Sequence, residues 1–134
     1  MVIKGHIVYP GKAEGEAIVY HGPFSFLGDL DPATGKVPIP NHPLEGQSLV
    51  NKVCVFTTGH GSSGGPTYAW AAKRRGNIPA AMIFIEVEPV IAIAVIAAEI
   101  PTMDKLEKDP FEVIKTGDYV KVDASAGIIQ VIKR

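Results

Sequence analysis

The chain has 134 residues, 46% of them hydrophobic and 20% charged, which fits one compact domain with a core of its own. Thirteen basic residues against fourteen acidic ones leave a net charge of −1, and no basic run is longer than Lys73-Arg74-Arg75, so there is no electrostatic footprint for nucleic acid. A single cysteine, Cys54, excludes an internal disulfide and cannot hold an iron–sulfur cluster alone, and His6, His21, His42 and His60 show no metal-ligand spacing.

The opening MVIKGHIVYPG lacks the apolar core of a secretion signal, and a reducing cytoplasm suits the lone thiol. Ile3 to Tyr9 reads as a strand stopped by Pro10-Gly11, and Glu14 to Tyr20 as a second. Two short strands around a Pro-Gly turn predict antiparallel neighbours, with Gly5 and Gly15 as places for bulges or close approach. His21 to Pro43 is irregular. Asp31-Pro32-Ala33-Thr34-Gly35 has the chemistry of a turn. Structureless loops beyond about 12–15 residues are usually functional or disordered, and Phe24, Phe26 and Leu27 argue for order because they need burial. Leu44 is expected to plug the core.

Val50 to Phe56 is β-branched and apolar, a buried strand. Thr57 to Gly65, TTGHGSSGG, is a glycine- and hydroxyl-rich turn. A helix is expected from Pro66, with Ser62 or Ser63 as its cap, Lys73, Arg74 and Arg75 against the negative end of its dipole, and Gly76 closing it. A strand that feeds a helix through such a turn aims backbone N–H groups at one spot and attracts anions there. A serine hydroxyl in that spot has a stabilised alkoxide, which is one way to make it a proton acceptor. The plainer alternative is that the serines only cap the helix.

Ala80 to Val87 is a continuous apolar run, the pattern of a strand covered on both faces in a parallel sheet. Pro89 opens a helix over Val90 to Glu99, apolar all round, with Glu88 beside its start; covering it completely calls for another subunit. Ala80 to Pro101 is not a membrane span, because Glu86, Glu88 and Pro89 fall in its middle. Ile100 to Met103 is a short strand or turn, Pro110 to Lys115 is ambiguous, and Tyr119–Asp123 and Ile128–Ile132 form a hairpin that can join the N-terminal strands. The sum is an α/β domain with a central parallel layer, a small antiparallel layer from both termini and helices on the outer face. It has no repeats or linkers, so residues 1–134 form one domain.

Gly61-Ser62-Ser63-Gly64-Gly65 on its strand–turn–helix resembles the GSS motif of the aconitase superfamily's swivel domain, and the order of motifs along the whole chain resembles the small subunit of the aconitase X branch. The resemblance implies a swivelling β/β/α three-layer fold, with a central parallel sheet, a second antiparallel sheet and helices on one face. It implies Ser62, the first serine of the motif, as catalytic base, with Gly61, Ser63, Gly64 and Gly65 around the substrate. Ordinary aconitases place an arginine where this chain has Gly64, so tricarboxylate binding is not implied. In archaea, members of this branch serve as the small subunit of phosphomevalonate dehydratase, a hydro-lyase acting on mevalonate 5-phosphate in isoprenoid synthesis. On that reading the large subunit of a heterodimer carries the iron–sulfur cluster, and this chain binds no cofactor or metal itself. The family's Phe–Gly–Gly–hydrophobic–Asp segment, which faces the cleft, reads here Phe26-Leu27-Gly28-Asp29-Leu30-Asp31, making Asp29 and Asp31 candidates for substrate or partner contact.

Three other readings stay open at this stage. A hydroxyproline dehydratase of the aconitase X type would share Ser62. A mobile phosphocarrier domain would use His60, since the glycine turn and the following Ile78-Pro79 loosely resemble the phosphohistidine swivelling domain. A structural partner subunit would use the serines only as caps.

Overall fold

The computed structural model describes residues 1–60 and 63–134. Along the chain run β1 (Val2–Lys4), β2 (His6–Tyr9), β3 (Lys12–Val19), α1 (Phe26–Asp29), β4 (Val53–Phe56), α2 (Gly65–Arg74), β5 (Ala81–Phe84), α3 (Pro89–Ala97), β6 (Thr102–Asp104), α4 (Pro110–Val113), β7 (Tyr119–Asp123) and β8 (Ile128–Ile132).

β4 and β5 are buried at every position, as their unbroken apolar runs require. They pair in parallel, with β3 and β6 as parallel flanks. The strand groups expected from the sequence are both present, but they are hydrogen-bonded into one mixed eight-stranded sheet of order β1-β8-β7-β3-β4-β5-β6-β2. The join is β3. Its first half, Lys12–Glu16, pairs antiparallel with β7, and its last residues, Ala17–Val19, pair in parallel with β4.

The strands on either side of Pro10-Gly11 are not the antiparallel neighbours that the turn predicted: β3 pairs with β7 and β4, and the run expected as one strand, Ile3 to Tyr9, is broken into β1 and β2. β1 pairs with β8 and β2 with β6, at opposite ends of the sheet order, and only Gly5 separates them in the chain. The sheet therefore curls until its two ends meet. At the meeting point Gly5 donates its N–H to the Gly127 carbonyl (3.0 Å). Gly15 serves close approach: a Cβ there would lie 2.5 Å from the Asn51 carbonyl oxygen.

Because side chains alternate along a strand, β4 and β5 feed two cores. Val53, Val55, Ala81 and Ile83 point into the curl, against Ile3, Val120 and Ile129 of the antiparallel half. Cys54, Phe56, Met82 and Phe84 point the other way, against Ala69 and Ala72 of α2 and Ile91, Ala94 and Val95 of α3. The long segment between β3 and β4 closes the second core with Phe24, Phe26, Leu30 and Leu44, all buried. α3 is apolar all round yet covered on one side only. Ile93 and Ile96 are 56% and 50% exposed. The helix ends earlier than the composition predicted, because Glu99 turns into the left-handed region at φ 54°. α2 ends on Gly76 at φ 72°, where glycine carries no steric penalty. The ambiguous Pro110 segment is the short helix α4, capped by Asp109, which accepts the Phe111 N–H.

Candidate functional site

β4 and β5 both run toward the same edge of the sheet, and the helices that follow them start there. This carboxyl edge is where open parallel sheets hold ligands. Past β4 the chain stays laced on both sides: Thr57 donates its N–H to Gly22 (2.9 Å) and its carbonyl accepts from Ile85 (3.0 Å). Phe24 and Gly59 form a bridge, with Phe24 N–H donating to the Thr58 carbonyl and His60 N–H to that of Phe24. The glycine-rich turn is thus delivered from a fixed base.

Ser62 and Gly61 lie outside the described residues. Ser63 stands exposed in the turn, and Gly64 is half-buried, close enough to α1 that a Cβ would sit 3.3 Å from Leu27 Cδ2. Gly65 is the first residue of α2, buried, with a site for Cβ 3.5 Å from Val90 Cγ1 at the start of α3. α2 thus begins between α1 and α3, with the tighter approach at Gly64. The serine cap expected of this helix is corrected in part: the N-cap is Gly64, which has no side chain to accept the first amides, and Ser63 precedes it.

The neighbouring helix end is different. Glu88 caps α3 with both carboxylate oxygens, accepting from Val90 N–H at 3.0 Å and Ile91 N–H at 2.6 Å. Gly59 passes directly over this cap, and a Cβ on it would be 2.5 Å from Glu88 Oε1 and 2.5 Å from Ile91 Cβ. Two helix N-termini therefore sit together at the carboxyl edge. One is already neutralised by a carboxylate, and the other begins at a glycine.

The chain carries a pairing here that sequence reading did not make. His60 Nε2 lies 2.9 Å from Asp29 Oδ2, and that same oxygen accepts the Ser25 N–H at 2.8 Å. Ser25 in turn accepts the Leu27 N–H with its hydroxyl, capping α1. Asp29 is thereby occupied within the chain, while Asp31 serves its own turn by accepting the Ala33 N–H. Along the same edge His6 Nδ1 meets the buried Asp104 Oδ1 at 2.7 Å, and Asp104 Oδ2 accepts the Val87 N–H, which fastens β2 and the entry to α3 onto β6. Ser25-x-x-x-Asp29 was the one local signal for the first pair; His6 and Asp104 are too far apart in sequence to give any.

The residues do not fit an iron–sulfur cluster. Cys54 is fully buried in β4, where desolvation pushes its thiol well above the usual range despite the nearby charge of Lys52. Among the described residues no group of three or more His, Cys, Asp and Glu is placed to hold a metal. Among them, too, no helix is long and apolar enough to cross a membrane.

The fold is an α/β domain with a mixed eight-stranded sheet, in which a glycine-rich segment joins β4 to α2 at the carboxyl edge of the parallel strands. The chain belongs to the aconitase X swivel domain family, whose model matches residues 2–131. It is 44% identical over 131 residues to the phosphomevalonate dehydratase small subunit of Methanosarcina acetivorans, covering 98% of this chain and 91% of that one. The small subunit of that name from Thermococcus kodakarensis is 38% identical over 133 residues, covering 99% and 98%. A chain of the holo-form crystal structure of Thermococcus kodakaraensis aconitase X superposes with a TM-score of 0.91 at 38% identity, covering 99% of each chain.

Proposed function

We propose that this chain is the small subunit of phosphomevalonate dehydratase, a hydro-lyase that converts mevalonate 5-phosphate to trans-anhydromevalonate 5-phosphate together with a large subunit. The observation that carries this is the end-to-end match, at about 40% identity, to relatives that all bear that name. Ser62, as its alkoxide, is the proton acceptor: the C–H bond on the carbon beside the substrate carboxylate breaks, its electron pair becomes the new C=C bond as hydroxide leaves the neighbouring carbon, and the proton taken up by Ser62 Oγ is returned to that hydroxide, giving water. The start of α2 supports this role: its N-cap, Gly64, has no capping side chain, and helix-start amides stabilise negative charge on an oxygen that approaches them. Gly61, Ser63, Gly64 and Gly65 line the approach, small enough for backbone N–H groups to reach the substrate. The iron–sulfur cluster is assigned to the large subunit on the strength of the family resemblance; the buried Cys54 of this chain is compatible with that assignment.

The curled sheet with helices over its parallel half is the β/β/α unit that swivels against the partner, in the cytoplasm. The half-exposed Ile93 and Ile96 support a covering partner on α3. The test is co-expression with the large subunit and assay of mevalonate 5-phosphate dehydration. Ser62→Ala should abolish turnover while the two subunits still co-purify. Wild-type turnover in that variant would refute the assignment of the base.

A further inference from the structure

We propose that His60, held by Asp29, is the residue of this chain that grips an oxyanion of the substrate, either carboxylate or phosphate. This rests on the dehydratase reading, whose substrate carries both groups.

The first support is placement. His60 stands two residues before Ser62 in the chain, on a backbone pinned by its own N–H to the Phe24 carbonyl (3.2 Å) and by the Phe24–Gly59 bridge. The second is orientation. Asp29, only 14% exposed and anchored by the Ser25 N–H, takes Nε2 at 2.9 Å. A carboxylate on one ring nitrogen fixes the plane of the ring and the direction of the other. The third is access: the His60 side chain is 52% exposed, so the ring is offered outward rather than spent in packing. Among the described residues Nδ1 has no hydrogen-bond partner. The imidazolium form donates from both nitrogens, one to Asp29 and one to an incoming anion.

Competing anion holders nearby are few. The α3 amides are filled by Glu88, and Lys73, Arg74 and Arg75 lie at the far end of α2. Lys105, on the neighbouring edge, is drawn to Glu86 at 3.7 Å. His60 is thus the cation-forming side chain that the described part of the glycine-rich turn contributes.

The experiment uses the assembled two-subunit enzyme. His60→Gln should raise KM for mevalonate 5-phosphate about 10- to 100-fold, the range expected for one lost charge-assisted hydrogen bond, with kcat changed less than about threefold. His60→Arg should recover most of that loss, and Asp29→Asn should show a smaller rise in KM. Inorganic phosphate and acetate, used as competitive inhibitors, tell the two sources apart: the one whose inhibition weakens about tenfold or more in His60→Gln marks the group held. An unchanged KM in His60→Gln overturns the proposal, as does a fall in kcat at constant KM. If the wild-type complex does not dehydrate mevalonate 5-phosphate, the dehydratase reading fails by itself. Titration calorimetry of phosphate and acetate into wild-type and His60→Gln complexes then decides: selective weakening in the variant supports the oxyanion role, and equal or absent binding in both refutes it.

Discussion

Gly59 is the tightest point between the glycine-rich turn and α3, and Gly59→Ala measures how much that contact matters. The new methyl would meet Glu88 Oε1 and Ile91 Cβ at 2.5 Å each, and Ile91 Cγ2 at 2.8 Å. The carboxylate is the end of a flexible side chain and can swing away, at the loss of the α3 cap, about 0.5–2 kcal/mol. Ile91 Cβ cannot swing, because it is bonded to the helix backbone, so α3 or the turn must shift. Overpacking of that kind costs about 1–3 kcal/mol. Against these stands about 0.4–1 kcal/mol gained by stiffening the unfolded chain. The net expectation is a loss of about 0.5–4.5 kcal/mol in urea unfolding, centred on about 2.5 kcal/mol, which is roughly 8–10 °C in Tm for a domain of this size. Glu88→Ala should cost less in the Gly59→Ala background than in wild type, because the cap there is already displaced. A Gly59→Ala chain within about 0.5 kcal/mol of wild type, the range of an ordinary surface substitution, would refute the packing argument.

Two further outcomes follow from groups away from the site. Burial pushes the Asp118 carboxyl up, but the Lys133 ammonium bonded to it, the Lys115 and Arg134 backbone N–H groups and the Lys133 charge outweigh this and hold it below the usual carboxylate range. A carboxyl whose folded pKa is depressed stabilises the protein above its unfolded value, near 3.9, and that contribution is lost as pH falls through the folded value. Asp118→Asn should therefore be less stable than wild type at neutral pH and lose less on acidification below about pH 4, measured by urea midpoints; parallel curves for the two proteins would contradict the linkage. Cys54, with no exposed surface and a thiol pushed up by burial, should resist iodoacetamide in the folded chain and react fully in urea. Rapid labelling of folded protein would show that β4 is not the sealed centre of the sheet.

What could be read from sequence was what local chemistry decides. The unbroken apolar runs of β4 and β5 mark strands covered on both faces, Pro89 with Glu88 marks a helix start, and the C-terminal hairpin alternates cleanly. Pairing partners far apart in the chain leave no such mark. β2 has the same composition whether it lies beside β3 or β6, and only the closure of the curl at Gly5 decides it. The start of α2 was misread for a different reason. Serine is the stronger cap on average, but the N-cap position falls on Gly64, where α2 starts against Leu27 and a side chain would be tight. Within the site, the glycine-rich turn was legible because its glycines are contiguous. The His60–Asp29 pair was not, because α1 is broken at Leu27 and Gly28 and its direction depends on burying Phe26.

The two helix starts at the carboxyl edge make unequal use of the same physics. Each helix presents unpaired amides and the positive end of a dipole, and each would draw an anion. At α3 the chain fills that demand itself, with a glutamate directly before the helix, which leaves the end inert and lets Gly59 pack over it. At α2 it places a glycine where a capping side chain would normally stand. A glycine at the N-cap gives up a few tenths of a kcal/mol of helix stability relative to a capping side chain. A side chain in the cap position would compete with any anion for the same amides, and a glycine there does not. Among the described residues, the unequal capping leaves the α2 start, and not the α3 start, without a carboxylate of the chain's own.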